Sequence, residues 1–240
     1  MPAGFVAGMV GSVAGLASMV SYPALLAAGL PPVAANVTNT VGLTASGIGS
    51  TIGARPELTG QRARIRRLGV TAVTGGLAGA GLLLVTPADA FEKAVPFLIA
   101  FASLAVLARP HAHLGPRHGQ RDEVALTVGI FLAAVYGGYF GAAAGVMMLA
   151  ILTVTTSETL ARSIAAKNVL LFAANAVAAV AFVIAAPVEW AAALPLAAGF
   201  FVGGRLAPAV ARRVPARPLR LFIALSGLVV AAKLAADAYG

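Results

Sequence analysis

VALTVGIFLAAVYGGYFGAAAGVMMLAILTV, residues 124–154, contains no charged side chain and is too long for a single bilayer crossing. About 20 apolar residues in a helix cover the ~30 Å hydrocarbon layer. The Gly137-Gly138 pair between Tyr136 and Tyr139 offers a break, so a full span followed by a short returning segment is expected, with re-entry as the alternative.

Outward from this stretch the pattern repeats. Further apolar segments occupy residues 4–30, 36–54, 68–86, 94–108, 163–186, 190–207 and 219–238, bounded by Pro, Gly and charge. The chain is 60% hydrophobic and only 10% charged, whereas soluble domains carry about a quarter charged residues. An all-α, polytopic membrane bundle of about eight to nine spans is expected, with lipid as its solvent. Residues 1–10 lack a basic n-region and a small-residue cleavage pattern, so no removable signal is expected.

A net charge of +9 raises the question of nucleic acid. The bases cluster between apolar runs instead of interleaving with aromatics, which is the pattern of loops at a membrane. With residues 55–67 placed in the cytoplasm and the 124–154 stretch counted twice, nine crossings result. The 109–121 linker, Arg162 and residues 205–220 then fall on the same side. All fourteen arginines lie there, and only Lys93 and Lys233 face the other way. An eight-span count would export the 205–220 cluster, so the positive-inside bias favours nine spans in the cell membrane.

The two halves resemble each other. Gly11 and Gly15 correspond to Gly141 and Gly145, Thr38-Asn39 to Lys167-Asn168, and Gly75 and Gly79 to Gly199 and Gly203. The basic loop follows the second span of one copy and the third span of the other, which indicates opposite orientation. A first repeat over residues 1–108, a linker and linker span over 109–140 and a second repeat over 141–240 are expected. That is the plan of an inverted-repeat secondary transporter.

In such carriers, broken helices near the midplane expose backbone groups, and half-helix N-termini attract anions. Expected breaks are Gly11, Gly15 and Pro23 in the first copy and Gly141 and Gly145 in the second. The polar clusters 36–39 and Lys167-Asn168 open the spans that follow. A lysine at the bilayer centre costs about 2.5–3.5 kcal/mol on insertion scales, so Lys167 needs a partner or a purpose. It is the first choice for the substrate, and snorkelling to the interface beside Arg162 is the competing explanation. Asn39, Asn168, Asn36 and Thr38 would complete a substrate site with amide and hydroxyl donors, against plain helix–helix bonding. Ser46, Ser50 and Asn175 are expected to bond between helices, with pore lining as the alternative, and Tyr136, Tyr139, Phe140 and Trp190 to lie in the interfacial aromatic belt.

Other chemistries find no support. His111, His113 and His118 crowd one linker without carboxylates at helical intervals, so no metal is expected. No cysteine is available for a disulfide or thiolate site. The chain lacks H-E-x-x-H, G-x-S-x-G and the G-x-x-x-x-G-K-[ST] phosphate loop, so neither an enzyme nor an ATPase is expected and no cofactor is called for. The expected partners are a small anion and the bilayer, with self-association left open and nucleic acid excluded.

Tyr22-Pro23-Ala24-Leu25-Leu26, the Gly29-Leu30-Pro31-Pro32 turn, Ala35-Asn36-Val37-Thr38-Asn39, the basic residues 55–67, Tyr136-Gly137-Gly138-Tyr139-Phe140-Gly141 and Ala166-Lys167-Asn168 together resemble the sulfite exporter TauE/SafE family of membrane permeases. The likeness covers nearly the whole chain. It implies a carrier of sulfite, organosulfonates or a related oxyanion across the cytoplasmic membrane. The chain departs from the family in having one glycine in Ala14-Gly15-Leu16-Ala17-Ser18 where many members carry several, and no proline in the second copy. A passive anion channel and a non-transporting scaffold are the alternatives.

Overall fold

A computed structural model describes residues 1–107, 120–211 and 216–239, and His111, His113 and His118 lie outside them. Every regular element within those residues is helical. In chain order they are α1 (Pro2–Ala14), α2 (Ala17–Ala27), α3 (Pro32–Gly53), α4 (Arg55–Leu58), α5 (Arg62–Val85), α6 (Ala88–Leu107), α7 (Gln120–Tyr139), α8 (Ala144–Thr155), α9 (Leu160–Ala185), α10 (Trp190–Ala211) and α11 (Ala216–Tyr239).

Local chemistry sets the joints. After α2, Gly29 takes φ 90°, Leu30 N–H reaches back to the Leu25 carbonyl, and Gly29 N–H bonds that of Leu26. This double bond closes the helix in a Schellman turn, and Pro32 then starts α3 where a missing N–H costs nothing. Helix α1 ends on Gly15, whose φ of 78° only glycine adopts cheaply. Between α7 and α8 the left-handed residues are Gly141 (φ 81°) and Ala143 (φ 60°).

Helix directions follow from the close approaches. Gly4 abuts Leu196 and Gly8 abuts Phe200, so α1 runs parallel to α10; Gly42 against Leu196 and Gly49 against Arg205 place α3 parallel to α10 as well. Helix α2 returns antiparallel to α3 after a short turn, with Ser18 and Ser21 level with Asn39. Helices α1 and α2 therefore form a hairpin. The expectation of one crossing over residues 4–30 is corrected here: the left-handed turn at Gly15 reverses a chain that is apolar on both sides of it. In the second half, Gly129 beside Ile151 and Gly137 beside Ala144 fold α7 and α8 into a matching hairpin.

The interchange is complete. Helix α7 packs parallel to α5 through Gly75 and Gly79, as α1 packs on α10 through Gly199 and Gly203. Helices α3 and α9 cross antiparallel, with Gly47 on Phe172 at mid-length, Thr38 at Glu189 at one end and Gln61 at Arg162 at the other. Helices α6 and α11 are also antiparallel, Ser103 facing Gly227 and Lys93 facing Tyr239. Corresponding helices thus point in opposite directions, which is an inverted repeat.

By length and composition Arg62–Val85, Ala88–Leu107, Leu160–Ala185 and Trp190–Ala207 can each cross a membrane. Their outward faces carry Leu77, Val85, Phe97, Ile184 and Leu194, all exposed. A broad apolar surface of this kind is tolerable only in lipid. The aromatic belt is corrected in part: Trp190 is exposed, but Phe140 is buried edge-on against Tyr22 at 5.2 Å, and the Tyr136 hydroxyl donates to the Leu98 carbonyl.

Candidate functional site

The two hairpin tips meet. Gly15, at the turn of the first, touches Gly145, in the first turn of α8, so closely that a Cβ on Gly145 would lie 2.7 Å from the Gly15 Cα. Beside this contact lies a cavity of about 30 Å³ lined by Ser12, Gly15 and Ser18 from the first hairpin and Gly141 from the second. Leu43, Ser46 and Ser50 of α3 and Asn168, Leu171, Phe172 and Asn175 of α9 also line it. That volume accommodates about two waters, so anything larger requires the walls to part.

The first-turn amides of an α-helix have no partner within the helix. Neither α2 nor α8 has a side-chain cap on its N-terminus. The start of α2, at Ala17 and Ser18, forms part of the cavity wall. Donors and the positive end of a dipole therefore converge there.

Behind the wall, polar side chains hold one another. The Asn168 amide donates to the Ser12 hydroxyl oxygen at 3.4 Å, and the Asn39 amide donates to that of Ser18 at 3.0 Å. The Ser21 hydroxyl lies 2.5 Å from Asn39 Oδ1 and 2.9 Å from the Ala17 carbonyl, tying Asn39 to α2. Lys167 is fully buried, and its ammonium donates to the Gly11 and Ser12 carbonyls at 3.0 Å each. Both carbonyls belong to the last turn of α1, where Gly11 also accepts from the Gly15 N–H, and a cation there offsets the negative end of the helix. In the other half Asn36 does the same for the last carbonyl of α7, donating to Tyr139 at 2.8 Å.

Over residues 1–234 the chain matches the family described as Sulfite exporter TauE/SafE. It belongs to that family. Among proteins to which this TauE/SafE chain is similar are a probable membrane transporter YfcA of Escherichia coli K12, 27% identical over 98% of this chain and 87% of the relative. Another is the probable membrane transporter ORF9 of a Sinorhizobium species, 27% identical over 98% and 90%. A probable membrane transporter of Haemophilus influenzae is 25% identical over 98% and 92%. No solved structure matches. With its apolar helices and these relatives, the TauE/SafE chain is a multi-pass membrane transporter.

The residues read from sequence divide into three groups in this TauE/SafE fold. Asn168, Gly11, Gly15 and Gly141 line the cavity. Lys167 and Asn39 stand behind it, each touching a wall residue. Thr38 and Asn36 lie toward one end of the bundle, where the Thr38 hydroxyl accepts from the Glu189 N–H and Asn36 serves Tyr139. Of the expected breaks, Gly15 and Gly141 sit at interruptions. The others differ: Gly11 lies inside α1, Pro23 inside α2 and Gly145 inside α8. Proline at position 23 deprives α2 of one rung of its ladder without ending it, and a glycine needed for close approach looks the same in sequence as one needed for a turn. Ser12, Ser18 and Phe172 were not singled out by sequence. For the two serines the one signal is a small polar residue three positions either side of a left-handed glycine, as Ser12-Gly15-Ser18 shows, and Phe172 carries none.

At the end of the bundle carrying α4 and the starts of α5, α7 and α9, charge ties the halves together. Glu158, between α8 and α9, binds Arg64 at 2.7 Å and Arg162 at 2.5 Å. Arg162 in turn donates to the Thr59 carbonyl, and Arg67 pairs with Glu123 at 2.8 Å. The hydrogen bond from Arg162, helped by Arg64 and by both guanidinium charges, holds the Glu158 carboxyl below its ordinary value against the opposing effect of burial.

Proposed function

We propose that this chain is a secondary transporter that carries a small oxyanion, sulfite or an organosulfonate, across the cytoplasmic membrane, with its arginine-rich end inside. The observation that carries this reading is the meeting of two oppositely oriented hairpins at a cavity where serine and asparagine side chains stand among Leu43, Leu171 and Phe172. An anion there is held by the first amides of α2 and by the Ser12 and Ser18 hydroxyls. Because each serine oxygen accepts from an asparagine amide, its own proton is left to donate. Asn168 and Asn39 act as positioning residues in this scheme, and Lys167 keeps the end of α1 from repelling the anion. Asn36 and Thr38 steady the far ends of the same helices.

Access alternates by rocking one half against the other about the Gly15–Gly145 contact. The small cavity supports this, since an oxyanion fits only when the halves part on one side. Purified protein in liposomes tests the reading. Labelled sulfite or methanesulfonate should move, and unlabelled substrate on the opposite side should accelerate its exit. Movement without acceleration is the result expected of an open channel and would replace the carrier mechanism. No movement of any oxyanion would remove the substrate class altogether.

A further inference from the structure

Resting on that reading of the cavity, we infer that the transported form is a monoanion that brings its own proton donor, so that hydrogen sulfite is carried and the sulfite dianion is refused. Three observations converge on this.

The first is the charge of the wall. None of the residues lining the cavity is titratable. The helices that build it, α1, α2, α3 and α9, carry between them only Arg162 and Lys167 as charged residues. Arg162 is engaged with Glu158 and Thr59 at the end of the bundle. Of the helices packed behind, α5 holds its arginines within its first six residues and α10 has Arg205 exposed near its other end.

The second is the use of Lys167. Its ammonium lies on the Gly11 and Ser12 carbonyls, so its charge is set against the negative end of α1 and is not a free counter-ion for the ligand. The negative end of α1 offsets about half of that unit charge, and the remainder together with the start of α2 gives the cavity about one positive charge. The desolvation cost of an ion grows with the square of its charge, about fourfold from monoanion to dianion. Neutral donors and about one positive charge match the first and fall short of the second.

The third is an acceptor without a donor. Asn175 is 4% exposed, lines the cavity, and its Oδ1 has no hydrogen-bond partner among the described residues. A buried unpaired acceptor costs about 1–3 kcal/mol. Against a fully deprotonated oxyanion it adds oxygen-to-oxygen repulsion, whereas an O–H on the ligand satisfies it.

The test uses wild-type protein in liposomes at fixed total sulfite, with equal pH on both sides stepped through the second ionisation of sulfurous acid. Methanesulfonate, a monoanion without an acidic proton throughout that range, reports any effect of pH on the protein itself. The expected result is a sulfite rate that falls with rising pH, approaching about tenfold per unit above the ionisation, while the methanesulfonate rate stays flat and lower at equal concentration. Asn175→Leu, and independently Asn175→Ala, should bring the two rates severalfold closer together below the ionisation. A sulfite rate that is flat or rises with pH while methanesulfonate is still carried overturns this inference and leaves the transporter standing. Movement of neither anion overturns both.

Discussion

Lys167 shows how a single side chain changes meaning between sequence and structure. Buried cations in lipid are costly, so its presence called for a partner. The partner it has is the end of a helix, through the Gly11 and Ser12 carbonyls. Lys167→Met keeps the length and removes the donor, leaving the buried Ser12 carbonyl without its ammonium and Gly11 with the Gly15 N–H alone. The variant should lose about 2 kcal/mol or more of stability, read as an unfolding midpoint several degrees lower in detergent, with the transport defect following the unfolded fraction. A variant that melts like wild type yet fails to transport would instead place the ammonium on the substrate. The polar residues of the site were legible as a class, because Asn39, Asn168 and Lys167 interrupt apolar runs. Their division into wall and support was not, since an amide bonding a serine and an amide bonding a ligand leave the same mark on a sequence.

Among the elements, the two hairpins are where hydropathy succeeded and failed in the same way. Residues 124–154 betrayed their turn by length, although it falls at 140–143 and not at Gly137-Gly138, which pack inside α7. Residues 4–30 are short enough for one tilted helix, and a single left-handed glycine does not alter mean hydropathy, so the first hairpin was hidden. The spans themselves were legible because lipid demands continuous apolar helices. Gly15 meets two demands at once, a φ of 78° and direct contact with the backbone of Gly145. Gly29 meets only the first, at φ 90°, with nothing near an added Cβ. Gly29→Ala should therefore cost about 1–2 kcal/mol of backbone strain and little else. Gly15→Ala carries the same strain, and it must also push the hairpin tips apart. Transport normalised to folded protein should fall at least tenfold in Gly15→Ala and stay within about twofold of wild type in Gly29→Ala. Equal effects would mean that the contact between the tips has no part in transport.

Across the whole molecule, one end of the halves is bound by charge and the other is not bound in the same way. Glu158 joins Arg64 of the first half to Arg162 of the second, and Arg67 reaches Glu123 of α7. At the opposite end the halves meet through ring contacts such as Phe91 on Tyr139 and through single hydrogen bonds, among them Glu189 to Thr38, Asn36 to Tyr139 and Tyr239 to Lys93. If the halves rock, these ion pairs must break each time the cavity opens toward the arginine-rich end. Pairs at this degree of exposure contribute only about 0–1 kcal/mol each, and a closure this weak can be reversed by substrate. The Glu158 carboxyl is held below its ordinary value, so the pairs persist above the usual carboxylate range and fail as pH falls through that lowered value. Glu158→Gln should thus favour opening at that end at neutral pH, and added salt should do the same to wild type. Because the chain has no cysteine, Ser46→Cys places a single thiol in the cavity wall. A membrane-impermeant maleimide offered from the arginine-rich side should label it severalfold faster when Glu158 is Gln, and the difference should vanish in high salt. Identical labelling rates in both backgrounds would show that the opening of the cavity is not opposed by charge at this end, and the resistance to parting would then have to come from the packing of α3 against α9.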